Sequence, residues 1–497
     1  MNRRGGGSKI KFVIISFVVF VLVAVGAFFG VQFFTKTGIF RIPGVVYYDE
    51  SLTEDEIALL ETVFTEEVDL DKDVTISAAD YLELPELAEG EFLTSIAVPV
   101  ADYYSDETDV AVDEAYMLFN NCEDCYYRMV DIDKLDFKSK LLSINGHYYL
   151  DEFDKGAVYH IIKFESEKYS EEISALVSSL YSNKTWPTKD SVLTFAQTGV
   201  TALSRGMNVK LRETGGDATY FAANIKDYLS AFDITHTSNE SSFTDWATDR
   251  NICSSPSFID TLTAIGLDVV ELTGNHNQDC GDDAASSTID TYNNLGIKIV
   301  GGGKNASDAA MPLNLAEKGT NITMLAFNES TGGATLDSTP GANQYYEETA
   351  AAQISEAKAR GDFVIVDIQY YECSAYASEY EDPTCDYAWS SAGDQQGFFR
   401  HLIDLGADMV VGTSAHQPQT YELYGNGVIY YGLGNLFFDQ IWWPGTTRSL
   451  ILAHYFYNGK LLQTKVVPTV YGDEMQTRLL DEETSKWFLN RLKSERP

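Results

Sequence analysis

The stretch best equipped for chemistry is Leu267 to Gly281, LDVVELTGNHNQDCG. Leu267 to Leu272 is a short apolar and β-branched run, as a buried strand would be. Gly274 permits a sharp turn at its end, and Asn275 and His276 follow. An amide and an imidazole then stand side by side at the carboxyl edge of a sheet, where open α/β sheets place ligands. Asn275 could offer its carbonyl oxygen to a metal. His276 could bind a metal or donate a proton to a leaving group. An isolated Asn-His pair serves equally well as hydrogen bonders in a strand-to-helix turn, so the pair means little without company.

The elements that would position these residues begin at Val192. Val192 to Ala196 reads as a strand, Thr198 to Arg205 as a turn and helix start, and Asn224 to Phe232 as an amphipathic helix. Asp233 to Thr237 is a strand, Phe258 to Leu267 the helix before the central stretch, and Ala284 to Leu295 the helix after it. Further strands are expected at 297–300, 321–328, 363–370, 409–412, 428–433 and 449–457. Helices are expected at 347–360 and 392–405. This alternation predicts a layered α/β domain with loops of ordinary length. The exception is the long loop from Glu372 to Asp394.

An earlier segment, residues 40–185, reads as a separate small α/β domain, bounded by the polar SNKTWPTK at Ser182 to Lys189. Leu52 to Glu66 has helical spacing, with Thr53 and Glu56 as a capping box. Asp73 to Ser77 and Phe92 to Val100 read as strands, and Ala79 to Glu89 as partly helical despite Pro85. Ile144-Asn145-Gly146 reads as a hairpin turn. Tyrosines at 103, 104, 116, 126 and 127 suit half-buried packing better than a ligand cleft.

Residues 1–9 are basic, and Ile10 to Phe34 is almost wholly apolar. A stretch of that length spans a bilayer as a helix. The basic flank predicts a cytoplasmic N-terminus with the bulk of the chain outside the cell membrane. At 497 residues the chain is too long for one core. Its net charge of −39 excludes nucleic acid as a partner. The six cysteines form three pairs close in sequence, Cys122/Cys125, Cys253/Cys280 and Cys373/Cys385. Three disulfides in an oxidising compartment are expected, although spacing alone leaves the connectivity open.

Four stretches together resemble the bacterial capsule-synthesis CapA family, linked to poly-γ-glutamate synthesis. They are DITHTSNE at Asp233 to Glu240, the Asn275-His276 stretch continuing to Asn305, LGADMVVGTSAHQPQTYE at Leu405 to Glu422, and VIYYGLGNLFFD at Val428 to Asp439. The resemblance covers about residues 190–470. It implies a calcineurin-like metallophosphoesterase fold, a layered α-β-β-α sandwich, with residues 471–497 as a C-terminal helix or tail. It also implies Glu240, Asn275 and His416 as metal ligands, Asn275 and His276 as catalytic residues, and Arg205 and Asn435 as substrate-binding residues.

The sequence departs from the family pattern. Where the family carries an acid after its first strand, this chain reads Ala196-Gln197-Thr198-Gly199. Gln369-Tyr370-Tyr371 replaces a His-Trp-Gly, and Ser414 replaces the first imidazole of a His-Pro-His. Two readings follow. In one, a degenerate site holds at most one divalent ion (Mn, Zn or Fe) or none, and the domain recognises an anionic or sugar polymer together with polymer-synthesis proteins. In the other, replacements such as Glu372 or Asp394 complete the site of a metal-dependent hydrolase or transferase acting on a surface polymer. Trp442 and Trp443 suit either a sugar-stacking rim or a packed lid.

Overall fold

The computed structural model describes residues 45–64, 73–112, 126–166, 175, 178–181, 184–329, 332–335, 338–370, 373–375, 386–387 and 394–496. The expected membrane helix at 10–34, the basic tail before it, Tyr116, Cys122, Cys125, Glu372 and Cys385 lie outside these residues. No helix among the described residues is long and apolar enough to cross a membrane.

The chain divides into two compact units. One comprises the described residues up to Ala97 together with those within 157–186; the other comprises the described residues within 98–156 and from Pro187 onward. The segment 40–185 therefore does not form one domain. Its middle belongs with the larger unit, where the Leu141 amide donates to Gln463 and the Tyr103 hydroxyl meets that of Tyr430.

In the smaller unit, Val46–Tyr48 pairs in parallel with Val74–Tyr81. That strand pairs antiparallel with Val158–Ser166, which pairs antiparallel with the strand beginning at Glu91. The helix Glu54–Glu61 starts at Thr53 with both hydrogen bonds of a capping box to Glu56. Its Leu60 packs against Val74, Ile76, Ile162 and Phe164. No helix forms within Ala79 to Glu89. Ala79 to Tyr81 extend the strand instead, paired with Tyr159 to Ile161, and Pro85 stands in the irregular stretch that follows.

The larger unit has two main sheets. The first runs Lys298–Val300, Val269–Glu271, Ile234–Asn239, Leu193–Thr201, Arg448–Tyr457, Lys460–Val470, Arg478–Leu479; its first four strands are parallel. The second runs Leu313–Glu317, Thr320–Asn328, Phe363–Gln369, Met409–Gly412, Gly427–Tyr430, Tyr421–Tyr424, with a parallel centre and antiparallel edges. One apolar core joins their facing sides, with Phe195, Ile234 and Val269 from the first sheet and Met324, Ile365 and Met409 from the second. Other cores pack helices on the outer faces. Leu262, Ile289 and Tyr292 cover the first sheet, and Ile354, Ala357, Phe399 and Leu402 the second. The layers are therefore helix, sheet, sheet, helix. Each fully buried Leu, Ile or Phe in such a core contributes roughly 1.5–3 kcal/mol.

Two expectations need correction here. The first strand does not stop at Ala196 but continues to Thr201, because Val200 and Thr201 pair with both Ser238–Asn239 and Asn435–Phe437; the helix after it starts only at Gly206. Asn224 to Phe232 holds a helix of four residues, Lys226–Leu229, because Ile225 leaves helical geometry at φ −128°. The C-terminal stretch, expected as a helix or tail, holds the helix Glu482–Ser494, which inserts Phe488 and Leu492 into the core between the sheets.

Candidate functional site

Along the facing strands the layer between the sheets changes character. At one end it holds Phe195, Ile234, Val269 and Ile365; two and four residues further on, toward the carboxyl ends, it holds Gln197, His236, Glu271, Asp367 and Gln369, all fully buried. Alternation along a strand places these polar residues on the same face as the apolar ones before them. The Gln197 amide donates to Asp367 across the sheets at 2.6 Å. His236 Nε2 lies 3.4 Å from the other Asp367 oxygen, and His454 Nε2 lies 3.3 Å from Gln197 Oε1. Burial and the charge of His236 draw His454 down to about 3, which keeps it neutral. Burial and the Asp367 carboxylate push Glu271 up to about 8, against hydrogen bonds from Ser238 and Thr273. Burial between the sheets thus favours the neutral form of Glu271.

Beyond this layer lie the motif residues. Gly274 packs directly on Glu240: a Cβ there would stand 2.7–2.9 Å from three Glu240 atoms. Only glycine lets the two strand ends approach so closely. Glu240 Oε2 lies 3.9 Å from His416 Nε2, and both residues are buried. The His416 ring is oriented from behind. Asn435 donates to the Thr446 carbonyl, so its oxygen faces His416 Nδ1 at 2.9 Å. That places the proton on Nδ1 and leaves Nε2 toward Glu240. Gly199 joins the first and last motifs. Its missing Cβ makes room for the Gly434 carbonyl, which accepts from the Val200 amide.

The other predicted residues divide among different partners. The Asn275 oxygen accepts from the Gln369 amide at 3.2 Å. His276 is part-exposed, and its Nδ1 bonds the Asp279 carboxylate at 2.8 Å. Arg205 binds Asp439 through Nε and a terminal nitrogen, at 3.1 and 2.5 Å, and its guanidinium lies over Phe438 and near the exposed Trp442. Asp394 caps the helix Gln395–Asp404 by accepting from Gly397. A disulfide between Cys253 and Cys280 ties down the loop that carries Asn275 and His276. Closing a loop of that size stabilises by roughly 3–4 kcal/mol.

Among the described residues, these donors do not make up a dinuclear metal centre. Such a centre needs several carboxylates and imidazoles converging from separate loops. Glu240 and His416 approach each other, while Asn275 is bonded to the Gln369 amide and His276 to Asp279. The end of the first strand is apolar, with Val200 and Ala202 packed on Phe438. Among the described residues, no three His, Cys, Asp or Glu side chains group in a way that could hold a metal. Sequence reasoning missed Asp367, Glu271 and His236. The available signal was an acid flanked by apolar residues within a strand run, Asp367 in FVIVDI and Glu271 in VVEL.

Two facing sheets covered by helices, with a buried polar layer toward the carboxyl ends of their strands, define a layered α/β protein. Residues 194–440 match the family described as Bacterial capsule synthesis protein PGA_cap, and the chain belongs to this CapA family. It is similar to the Capsule biosynthesis protein CapA of Bacillus anthracis, 27% identical over 228 residues, which are 44% of this chain and 52% of that protein. It is 30% identical over 204 residues to the PGA biosynthesis protein CapA of Bacillus subtilis (strain 168), 40% of this chain and 50% of that one. It is 24% identical over 255 residues to a probable polyglutamine synthesis accessory protein of Mycobacterium tuberculosis, 47% and 63%. The chain spans about half the length of the two Bacillus relatives.

Proposed function

We propose that this is a membrane-anchored, extracytoplasmic CapA-like protein that serves synthesis or attachment of a capsule or poly-γ-glutamate-type surface polymer. Its larger unit carries a calcineurin-like fold whose metal site is degenerate, so it recognises polymer or synthesis partners rather than hydrolysing them. The observation that carries this reading is the apolar end of the first strand, where Val200, Ala202 and Phe438 pack together. Asp439 is the acid nearest that strand end in the last motif, and it is engaged by Arg205. The apolar stretch 10–34 supplies the anchor. The Cys253–Cys280 disulfide supports an oxidising compartment.

A second reading, a metal-dependent hydrolase or transferase on the polymer, is favoured by one feature: His416, oriented by Asn435, turns its Nε2 toward Glu240. Elemental analysis of the purified full chain after dialysis and metal addition separates the two. The recognition reading expects at most one ion per chain and no phosphodiesterase activity. Two tightly held ions with metal-dependent activity would replace it with the hydrolase reading. In cells, Glu240→Gln and His416→Gln should then reduce surface polymer under either reading, and an unchanged polymer yield would remove this pocket from the function.

A further inference from the structure

A cavity of about 630 Å³ in the larger unit lies away from Glu240, Asn275, His276 and His416. It is lined by the segments Tyr103 to Asp109 and Lys140 to Tyr148, by the strand Lys460–Val470 and by the helix Glu482–Ser494. Among its lining residues only Tyr421 falls within 194–440, the part of the chain that matches the family. The cavity is thus built by segments outside the family match.

Its charge inverts that of the protein. The chain has 74 acidic residues against 35 Lys and Arg, yet the cavity is lined by Lys140, Lys465, Lys486 and Lys493 against Asp109 and Glu482. Two of these lysines are paired: Lys493 with Asp106 at 2.9 Å and Lys465 with Asp151 at 3.2 Å. The other two are not. Lys140 donates to the Ser105 carbonyl at 2.9 Å, and no carboxylate among the described residues lies within ion-pair distance of it. Lys486 has neither a hydrogen bond nor an ion pair among the described residues. Burial, with the charges of Lys493 and Lys486, draws the Lys140 ammonium down to about 8, against the opposing pull of Asp106 and Glu107. Such a shift marks positive charge that the protein itself leaves under-compensated. The volume lies in the range of small-molecule sites, and Leu141, Val467 and Leu489 give the walls apolar surface beside the ammonium groups.

We propose that this cavity is a binding site for a small multivalent anion, a polycarboxylate or a phosphate ester, held by Lys140 and Lys486 with Lys493 and Lys465 beside them. Of the four lysines on the wall, only Lys465 and Lys493 are matched by a carboxylate at ion-pair distance among the described residues.

The test is calorimetric titration of the purified full chain with citrate and, separately, with inorganic pyrophosphate, at low and at physiological salt. Saturable binding of at least one probe, weakened by added salt, is expected. Citrate alone would assign a carboxylate ligand, and pyrophosphate alone a phosphate ligand. Lys140→Gln combined with Lys486→Gln should weaken binding at least tenfold while the melting temperature stays within a few degrees of the parent. Leu489→Asp, which adds an acid to the wall and removes no lysine, should weaken it as well. No saturable binding of either probe, or binding unchanged in both variants, would overturn the proposal.

Discussion

The two units each contain a histidine set among carboxylates, and the outcomes are opposite. In the smaller unit His160 is bonded at both ring nitrogens, to Asp80 and Glu56, at 2.6 Å each. Burial disfavours its charged form, but the two carboxylates outweigh it and raise it to about 9. Burial likewise opposes ionisation of Glu56, but bonds from His160 and Thr53 bring it down to about 2. That cluster is ionic. In the larger unit His236 and Asp367 are wholly enclosed, and Glu271 beside them is pushed up. The difference is water. The carboxylates around His160 are 20–26% exposed, whereas His236 and Asp367 are not exposed at all. The same residue types form a charged clasp at a partly wet surface, whereas between the sheets burial disfavours the ionised form of Glu271.

The comparison breaks first at Asp367. Asp367→Leu should strand the Gln197 amide and His236 in the core and cost roughly 3–5 kcal/mol in denaturant unfolding. The double variant Gln197→Leu, Asp367→Leu should recover part of that loss; a double variant as unstable as the single one would mean the layer is not coupled.

His160→Gln should destabilise the smaller unit by on the order of 2–3 kcal/mol, read as faster hydrogen exchange in the strand Val158–Ser166. The sign with pH follows from the shifts. The raised His160 value means its contribution is full below about 6.5 and is lost as pH rises through about 9. The lowered Glu56 value means its contribution is present above about 4.5 and is lost as pH falls through about 2. Protection of that strand should therefore peak between about pH 4.5 and 6.5. A peak above pH 8 would contradict the ionic clasp.

Gly274→Ala should cost about 2 kcal/mol, because its methyl group meets Glu240 atoms that have little room to retreat. Thermal melting checks it, and an unshifted melting temperature would show that the two strand ends are not in close contact. The smallest effect is expected from Asn435→Ala, about 1 kcal/mol in stability. The sharper readout is the His416 imidazole in nitrogen-15 NMR, where loss of the fixed Nδ1–H tautomer is expected.

Much of the fold was legible in local pattern. The helix Glu347–Arg360 and the strand Met409–Gly412 lie where periodicity and apolar runs put them, and the Thr53 capping box formed as spelled. Such elements are set by neighbours three or four residues away along a helix or two along a strand. Errors came where distant partners decide. Ala79 to Tyr81 became strand because Tyr159 to Ile161 pair with them, and the first strand ran on to Thr201 because two other strands hold its end. Residues 98–156 left the small domain for the same reason.

The candidate site divides along the same line. By itself the sequence determined the motif residues Glu240, Asn275, His276 and His416, their family, and the scarcity of acids among them, because residue types at set spacings are written in the chain. Only the tertiary structure decided which of them meet. Glu240 faces His416, Arg205 is taken by Asp439, and Asn275 is joined to Gln369. It alone sealed Asp367 and Glu271 between two sheets and gathered four lysines, from positions 140 to 493, around one cavity. Ionisation and charge clustering depend on which surfaces are desolvated together, and that is a property of packing across hundreds of residues rather than of any local stretch.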